Sequence, residues 1–156
     1  MTKEVIDMAE TNENASIAPD DETRIVVGVD GSECADRALQ FAAHEAARWG
    51  ALLHIVSSFE IPSTSGWVVA PIGPYEEAAS AIVNEALTRA QDLEPSIVTK
   101  GESRCGSAPQ VLMEACRGAS VLVVGSRGRG EVKSLVLGSV SGHCVHNASC
   151  PVTVVH

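Results

Sequence analysis

The chain has 156 residues, 45% of them hydrophobic and 20% charged, so it can bury the core of one domain but hardly of two. Its longest apolar runs, such as VLVV, are far shorter than the roughly 20 residues that a membrane-spanning helix needs. The N-terminus also lacks the basic and then apolar order of a secretory signal. The composition therefore predicts a cytoplasmic protein with no membrane partner.

The net charge of −9 is concentrated at the N-terminus. Residues 1–22 carry seven acidic side chains against one lysine, a net −6, which leaves −3 for residues 23–156. We therefore expect an acidic, disordered tail over residues 1–22 and a single domain over residues 23–156. Because nucleic-acid binding needs a basic face, no nucleic-acid partner is expected.

The first half of the domain begins as strand, helix and strand. The apolar run RIVVGVD predicts a strand over residues 24–30. Residues 32–50 begin with a serine and end with a glycine, and apolar side chains recur between them at helical spacing. This pattern predicts a helix that starts after the serine and stops at the glycine. ALLHIVSSFE predicts the second strand over residues 51–60.

A long segment rich in proline, glycine and serine follows, over residues 61–75. It is either a lid with Trp67 and Tyr75 as candidate ligand contacts or a spacer, and we favour the spacer. The alanine-rich residues 75–93 then predict the second helix.

Three strands and two helices alternate in the second half of the domain. In chain order these are a strand at 96–103, a helix at 107–118 with Ser107 as its cap, strands at 119–125 and 151–156, and between these two a helix at 139–147. Five strands with four helical connections predict an α/β fold, a parallel sheet with helices on both faces. In such sheets a ligand binds outside the carboxyl ends of the strands, where the strand order reverses. In a common doubly wound order, that place includes Asp30 and the loop after the fourth strand.

The five cysteines are an odd number without a CxxC pair, which predicts reduced, mostly buried thiols in a reducing compartment. His143, Cys144, His146 and Cys150 could be written as a four-ligand zinc set. Their spacing matches no standard zinc site, and neighbouring positions on a helix point in different directions. We interpret them as helix-face histidines and core thiols.

The loop GSRGRGEVKSLVLGS, residues 125–139, holds four glycines, two arginines and a lysine directly after an apolar strand. Glycines leave room for backbone N–H groups to approach phosphate oxygens, and Gly138 and Ser139 begin a helix whose N-terminus suits an anion. The chain has no GxxxxGK[ST] motif, and Asp30 is the one acid placed at the site. No catalytic residue is therefore predicted, and at most slow hydrolysis of a bound phosphate is expected.

The spacing from Gly125 and Gly128 to Gly138-Ser139 is G-x2-G-x9-G-[ST]. Together with VGVDGSECADRAL, LHIV and the ending ASCPVTVVH, it resembles the nucleotide-binding branch of the universal stress protein family, over residues 24–156. The resemblance implies a flavodoxin-like, doubly wound sheet of five strands in the order 3-2-1-4-5. It also implies ATP or another adenine nucleotide at the switch point, with or without magnesium.

The resemblance implies a role for individual residues. Asp30 would lie near the adenine or ribose, and Ile55 would offer backbone groups to the adenine edge. Val124 and Val140 would flank the nucleotide with apolar surface. The other implied binding positions are Gly28, Val29, Gly125, Ser126, Arg127, Gly128, Arg129, Gly138 and Ser139. Whether Arg127 and Arg129 pair with phosphate or are only solvated stays open.

The resemblance also implies a stress-response or signalling module whose nucleotide occupancy biases a dimer or a partner surface. The last strand would be a sheet edge with exposed Val152 and Val154, so we expect a homodimer through residues 152–155. One alternative is a protein that binds cyclic AMP or AMP. The other is a nucleotide-free dimeric scaffold in which the glycines only shape a turn.

Overall fold

The computed structural model describes residues 23–62, 71–128 and 137–156, where strands and helices alternate. The elements are β1 (Arg24–Gly28), α1 (Glu33–Trp49), β2 (Leu52–Phe59), α2 (Gly73–Leu93), β3 (Thr99–Cys105), α3 (Ala108–Ala115), β4 (Val121–Gly125), α4 (Ser139–Asn147) and β5 (Val152–Val155). The expectations for the tail 1–22, for Trp67 and for Arg129 lie outside the described residues.

All five strands run parallel in one sheet, in the order β3-β2-β1-β4-β5. This confirms the flavodoxin-like, doubly wound fold. The chain leaves β1 toward β2 and β3 on one side and later returns to β4 and β5 on the other. The switch point therefore lies at the carboxyl end of β1.

The hydrophobic core consists of two clusters, one on each face of the sheet. Alternate residues of β1 and β2, including Ile25 and Ile55, pack with alanines of α1 and α2 in the first cluster. The residues between them, including Val26 and Val56, pack with Leu112 of α3 and with α4 in the second. Successive side chains of a strand point to opposite faces of the sheet. Helices α1 and α2 therefore cover the first cluster on one face, and α3 and α4 cover the second cluster on the other.

The ends of the helices follow local chemistry, with two differences from the sequence predictions. Ser32 accepts a hydrogen bond from the Ala35 amide (3.2 Å) and caps α1, which ends at Gly50 with φ of 62°. Ser107 occupies the N-cap of α3, but its side chain makes no capping hydrogen bond. Helix α2 begins at Gly73, two residues earlier than predicted, because proline in its first turn is compatible with a helix start.

The two edge strands also correct the sequence predictions. Strand β3 runs over Thr99–Cys105 and not over residues 96–103, and Cys105 is an exposed thiol. Val152 and Val154 of β5 are half-buried against the second cluster and are not exposed. Within the described ranges, no helix has the length and apolar character needed to span a bilayer.

Candidate functional site

A cavity of about 400 Å³ lies at the carboxyl ends of β1, β2 and β4, on the face covered by α3 and α4. Its apolar wall is formed by residues of the second core cluster, among them Val56, Val111 and Leu112. The cavity therefore lies at the switch point, where open α/β sheets bind ligands.

Most of the residues singled out in the sequence lie around this cavity. Those that line it are Gly28, Val29, Asp30, Val124, Gly125, Arg127, Gly128, Gly138, Ser139 and Val140. They come from three separate segments of the chain, which the parallel order of β1 and β4 brings together.

Two of the expected residues in the described ranges are not among the residues that line the cavity. Ile55 is fully buried in the first core cluster, on the face of α1 and α2, and does not line the cavity. Its neighbour Val56 points to the other face and does line it. Ser126 is fully buried and is also absent from the cavity wall.

Ser126 instead ties the end of β4 to its surroundings. Its carbonyl accepts hydrogen bonds from the Gly138 amide (2.7 Å) and the Ser141 hydroxyl (3.0 Å). Its amide donates to the Val155 carbonyl at 2.7 Å. Ser126 thereby fixes the start of α4 beside the end of β4 through its backbone.

Asp30 lies between the α1 cap and the loop after β4. Its Oδ1 accepts a hydrogen bond from the Ser32 amide at 2.9 Å. A Cβ placed on Gly128 would lie 2.7 Å from its Oδ2, so a larger residue at position 128 would require the Asp30 carboxylate to shift. Asp30 is the only carboxylate among the described lining residues.

The N-terminus of α4 forms the other polar end of the cavity. Its N-cap is Gly138, which has no side chain to satisfy the first free amides, and Ser139, Val140 and Ser141 line the cavity. The helix dipole places partial positive charge there, and Arg127 is the one cation among the described lining residues. This end of the cavity therefore suits an anion.

Eight lining residues were missed in the sequence: Ala35, Val56, Ser57, Ser58, Ala108, Val111, Leu112 and Ser141. Ser57 and Ser58 lie at the carboxyl end of β2, next to β1, so their position could have been inferred once the strand order was assumed. Ala35 and Ala108 carry no such signal. The position of α3 over the cavity is set by packing.

Three ionisable side chains lie in a row beside the site, on the same face of the sheet. The buried His54 Nε2 is 3.0 Å from Glu102 Oε1, a pair that has opposite charges only when His54 is protonated, and the two atoms are not aligned for a hydrogen bond. Glu102 also pairs with Arg104 at 2.9 Å. Burial lowers the pKa of His54, against the opposing influence of Glu102.

The four residues considered for zinc are not arranged as a ligand set. Cys144 is buried in the second cluster, whereas His143 and His146 are exposed on α4. Within the part of the chain that the structure describes, no group of three or more histidine, cysteine or acidic side chains is placed to hold a metal ion.

In a comparison with protein families, residues 22–156 match the Universal stress protein family. A universal stress protein of Mycolicibacterium smegmatis is 34% identical over 146 residues, covering 85% of this chain and 47% of that protein. The chain thus spans about half the length of the curated relatives it matches.

Solved structures show the same fold. UspA of Lactobacillus plantarum superposes with a TM-score of 0.71 at 23% identity, covering 86% of this chain and 98% of that one. A universal stress protein crystallised in complex with cAMP has a TM-score of 0.70 at 25% identity, with 86% and 97% coverage.

Proposed function

The chain belongs to the universal stress protein family, and we propose that its cavity at the switch point binds an adenine nucleotide, with ATP as the leading ligand, with or without magnesium. One observation carries the proposal. The glycine-capped N-terminus of α4 and Arg127 face the same cavity as the apolar wall of β2 and α3. A nucleotide needs both an anion site and an apolar surface for its base.

The order of strands suggests how the ligand would lie. Neighbouring strands are about 4.8 Å apart, so β2, β1 and β4 span roughly 10 Å. The phosphates would lie at Ser139 and Arg127, and the ribose at Asp30, whose carboxylate accepts hydrogen bonds from sugar hydroxyls. The base would lie against Val56 and Leu112 on the β2 side.

Cyclic AMP or AMP is the second candidate. A structure of similar fold, 25% identical in sequence, was crystallised with cAMP. Among the described lining residues there is also a single cation, Arg127, which suits a ligand of low charge better than a triphosphate.

A nucleotide-free scaffold is the third candidate, and the packing of Gly125 favours it. A Cβ there would meet the backbone of Cys34 at 2.8 Å, so this glycine is needed whether or not a phosphate binds. The glycine motif therefore does not by itself require a ligand.

We also propose that the protein signals as a cytoplasmic homodimer and hydrolyses its nucleotide slowly if at all. Strand β5 is at the edge of the sheet, where a second copy could add its own β5 across a two-fold axis. The free cysteines agree with a reducing, cytoplasmic location. Sedimentation at tens of micromolar should give twice the 16.3 kDa chain mass, and the monomer mass would contradict the dimer.

The test is thermal unfolding of nucleotide-stripped protein with ATP and magnesium, AMP or cyclic AMP, in the parent, Ser139→Asp and Ser139→Asn. A ligand at about 100 times its Kd stabilises the folded state by about 2.7 kcal/mol, and each kcal/mol raises Tm by about 2–4 °C in a chain of this size. An aspartate in the first turn of α4 favours the helix but repels phosphate.

We expect the ligand shift to disappear in Ser139→Asp and to persist in Ser139→Asn, with both variants folded. The nucleotide that gives the largest parental shift at equal concentration identifies the ligand. If none of the three shifts the parent, the nucleotide proposal fails and the scaffold is favoured.

A further inference from the structure

Three cysteines from three parts of the chain meet beneath α3 and α4. Cys116 follows α3, Cys144 lies within α4, and Cys150 precedes β5. Cys116 and Cys144 are fully buried, whereas Cys150 is partly exposed. All three belong to or pack against the second core cluster, and all are free thiols.

Cys116 and Cys150 lie near each other. Cys150 packs against the cluster that holds the fully buried Cys116, and after burial itself the neighbouring Cys116 contributes to the raised pKa of the Cys150 thiol. The Cys116 Sγ is also 3.9 Å from the Ser149 hydroxyl, next to Cys150 in the chain, and donates to the Met113 carbonyl at 3.4 Å. Cys144 belongs to the same cluster.

We propose that Cys116 and Cys150 form a dithiol modification site, which a small-molecule disulfide converts to an intramolecular disulfide. Cys150 is the entry point because it is the only one of the three that solvent reaches to an appreciable extent. Cys116 is the resolving thiol because its sulfur lies 3.9 Å from the hydroxyl of Ser149, the residue next to Cys150 in the chain.

The chemistry is two successive exchanges. The Cys150 thiolate, after losing its proton to solvent, attacks one sulfur of the reagent, forms a mixed disulfide and releases one reagent thiolate. The Cys116 thiol then loses its proton, attacks the Cys150 sulfur and releases the second reagent thiolate. The two cysteines are oxidised by two electrons in all, and the reagent disulfide is reduced to two thiols.

The environment of Cys150 makes disulfide formation slow at neutral pH. Burial raises the pKa of its thiol to about 11, so only a small fraction is thiolate. The rate should therefore rise about tenfold per pH unit between pH 7 and 10. The exposed Cys105, at the end of β3, is outside the cluster and should keep a mixed disulfide.

A Cys116–Cys150 disulfide would constrain the segment that includes β4 and α4. It would link the end of α3 to the start of β5 and fix the helix layer beside the cavity. Since the crosslink would restrict the unfolded chain, the oxidised protein should unfold at a higher temperature than the reduced protein.

The experiment treats the full chain with dithiodipyridine from pH 7 to 10, followed by peptide mapping without reduction. We expect a peptide pair joined through Cys116 and Cys150, two hydrogen atoms lighter than the reduced pair, with no reagent attached to either cysteine. Its formation rate should have the pH dependence given above.

Two variants provide controls. In Cys116→Ser the reagent should remain on Cys150, whereas Cys144→Ala should still form the disulfide. A parent in which Cys150 keeps the reagent, or pairs with Cys144, would overturn the proposal. The mapping of the parent decides the matter even if a variant does not fold, and it is independent of nucleotide binding.

Discussion

Residue 125 can be a glycine for two reasons, close packing against α1 or close approach to a ligand. The substitution Gly125→Ala distinguishes these two explanations. A Cβ at this position would lie 2.8 Å from both the carbonyl carbon and the oxygen of Cys34. These are backbone atoms of the first turn of α1, which cannot rotate away as a side chain can. The helix is also held to the sheet by buried residues such as Leu39.

The loss of folding stability in Gly125→Ala follows from this overlap. Inserting a methyl group into a packed interior costs about 1–3 kcal/mol. Replacing glycine removes freedom from the unfolded chain and returns about 0.4–1 kcal/mol. The net loss should be about 1–2 kcal/mol, which lowers Tm by about 2–8 °C in a chain of this size.

The assay is thermal and urea unfolding of the ligand-free protein. The matched control is Gly73→Ala at the start of α2, where no described atom lies within 4 Å of the added Cβ. The control should retain or slightly raise the parental Tm, since alanine favours a helix. If Gly125→Ala unfolds at the parental temperature but loses its nucleotide response, our packing explanation of this glycine is wrong.

Two other perturbations test the core and the buried histidine. Leu122→Ala truncates a fully buried side chain of β4 and should cost about 2–5 kcal/mol in urea unfolding, and a loss below 1 kcal/mol would contradict its place in the core. Because the pKa of His54 is lowered in the folded state, the unfolded chain binds more protons just below pH 6.5, its ordinary value. The contribution of neutral His54 to the free energy of unfolding should therefore be fully present above pH 6.5. It should be lost as the pH falls from 6.5 through the lowered pKa of the folded state. Urea unfolding from pH 5 to 8 should show a weaker pH dependence in His54→Gln, and an equal dependence would refute the assignment.

The sequence alone was sufficient for the order of the helices and strands. Apolar periodicity and turn residues act over a few neighbours, so α4 was predicted with the bounds that the structure has, Ser139–Asn147. The start of α2 was missed because glycine and proline also mark loops. The strand order came from the family resemblance, since no local pattern specifies which strands pair.

Only the tertiary structure decided which side chains face the cavity. In a strand, a shift of one residue moves a side chain to the opposite face, and this places Val56 in the cavity wall and Ile55 in the other core cluster. Packing between distant segments likewise explains why residue 125 is a glycine next to α1, and it places Cys116 and Cys150 in one part of the core. Such contacts depend on how whole elements pack, and no local stretch of sequence encodes them.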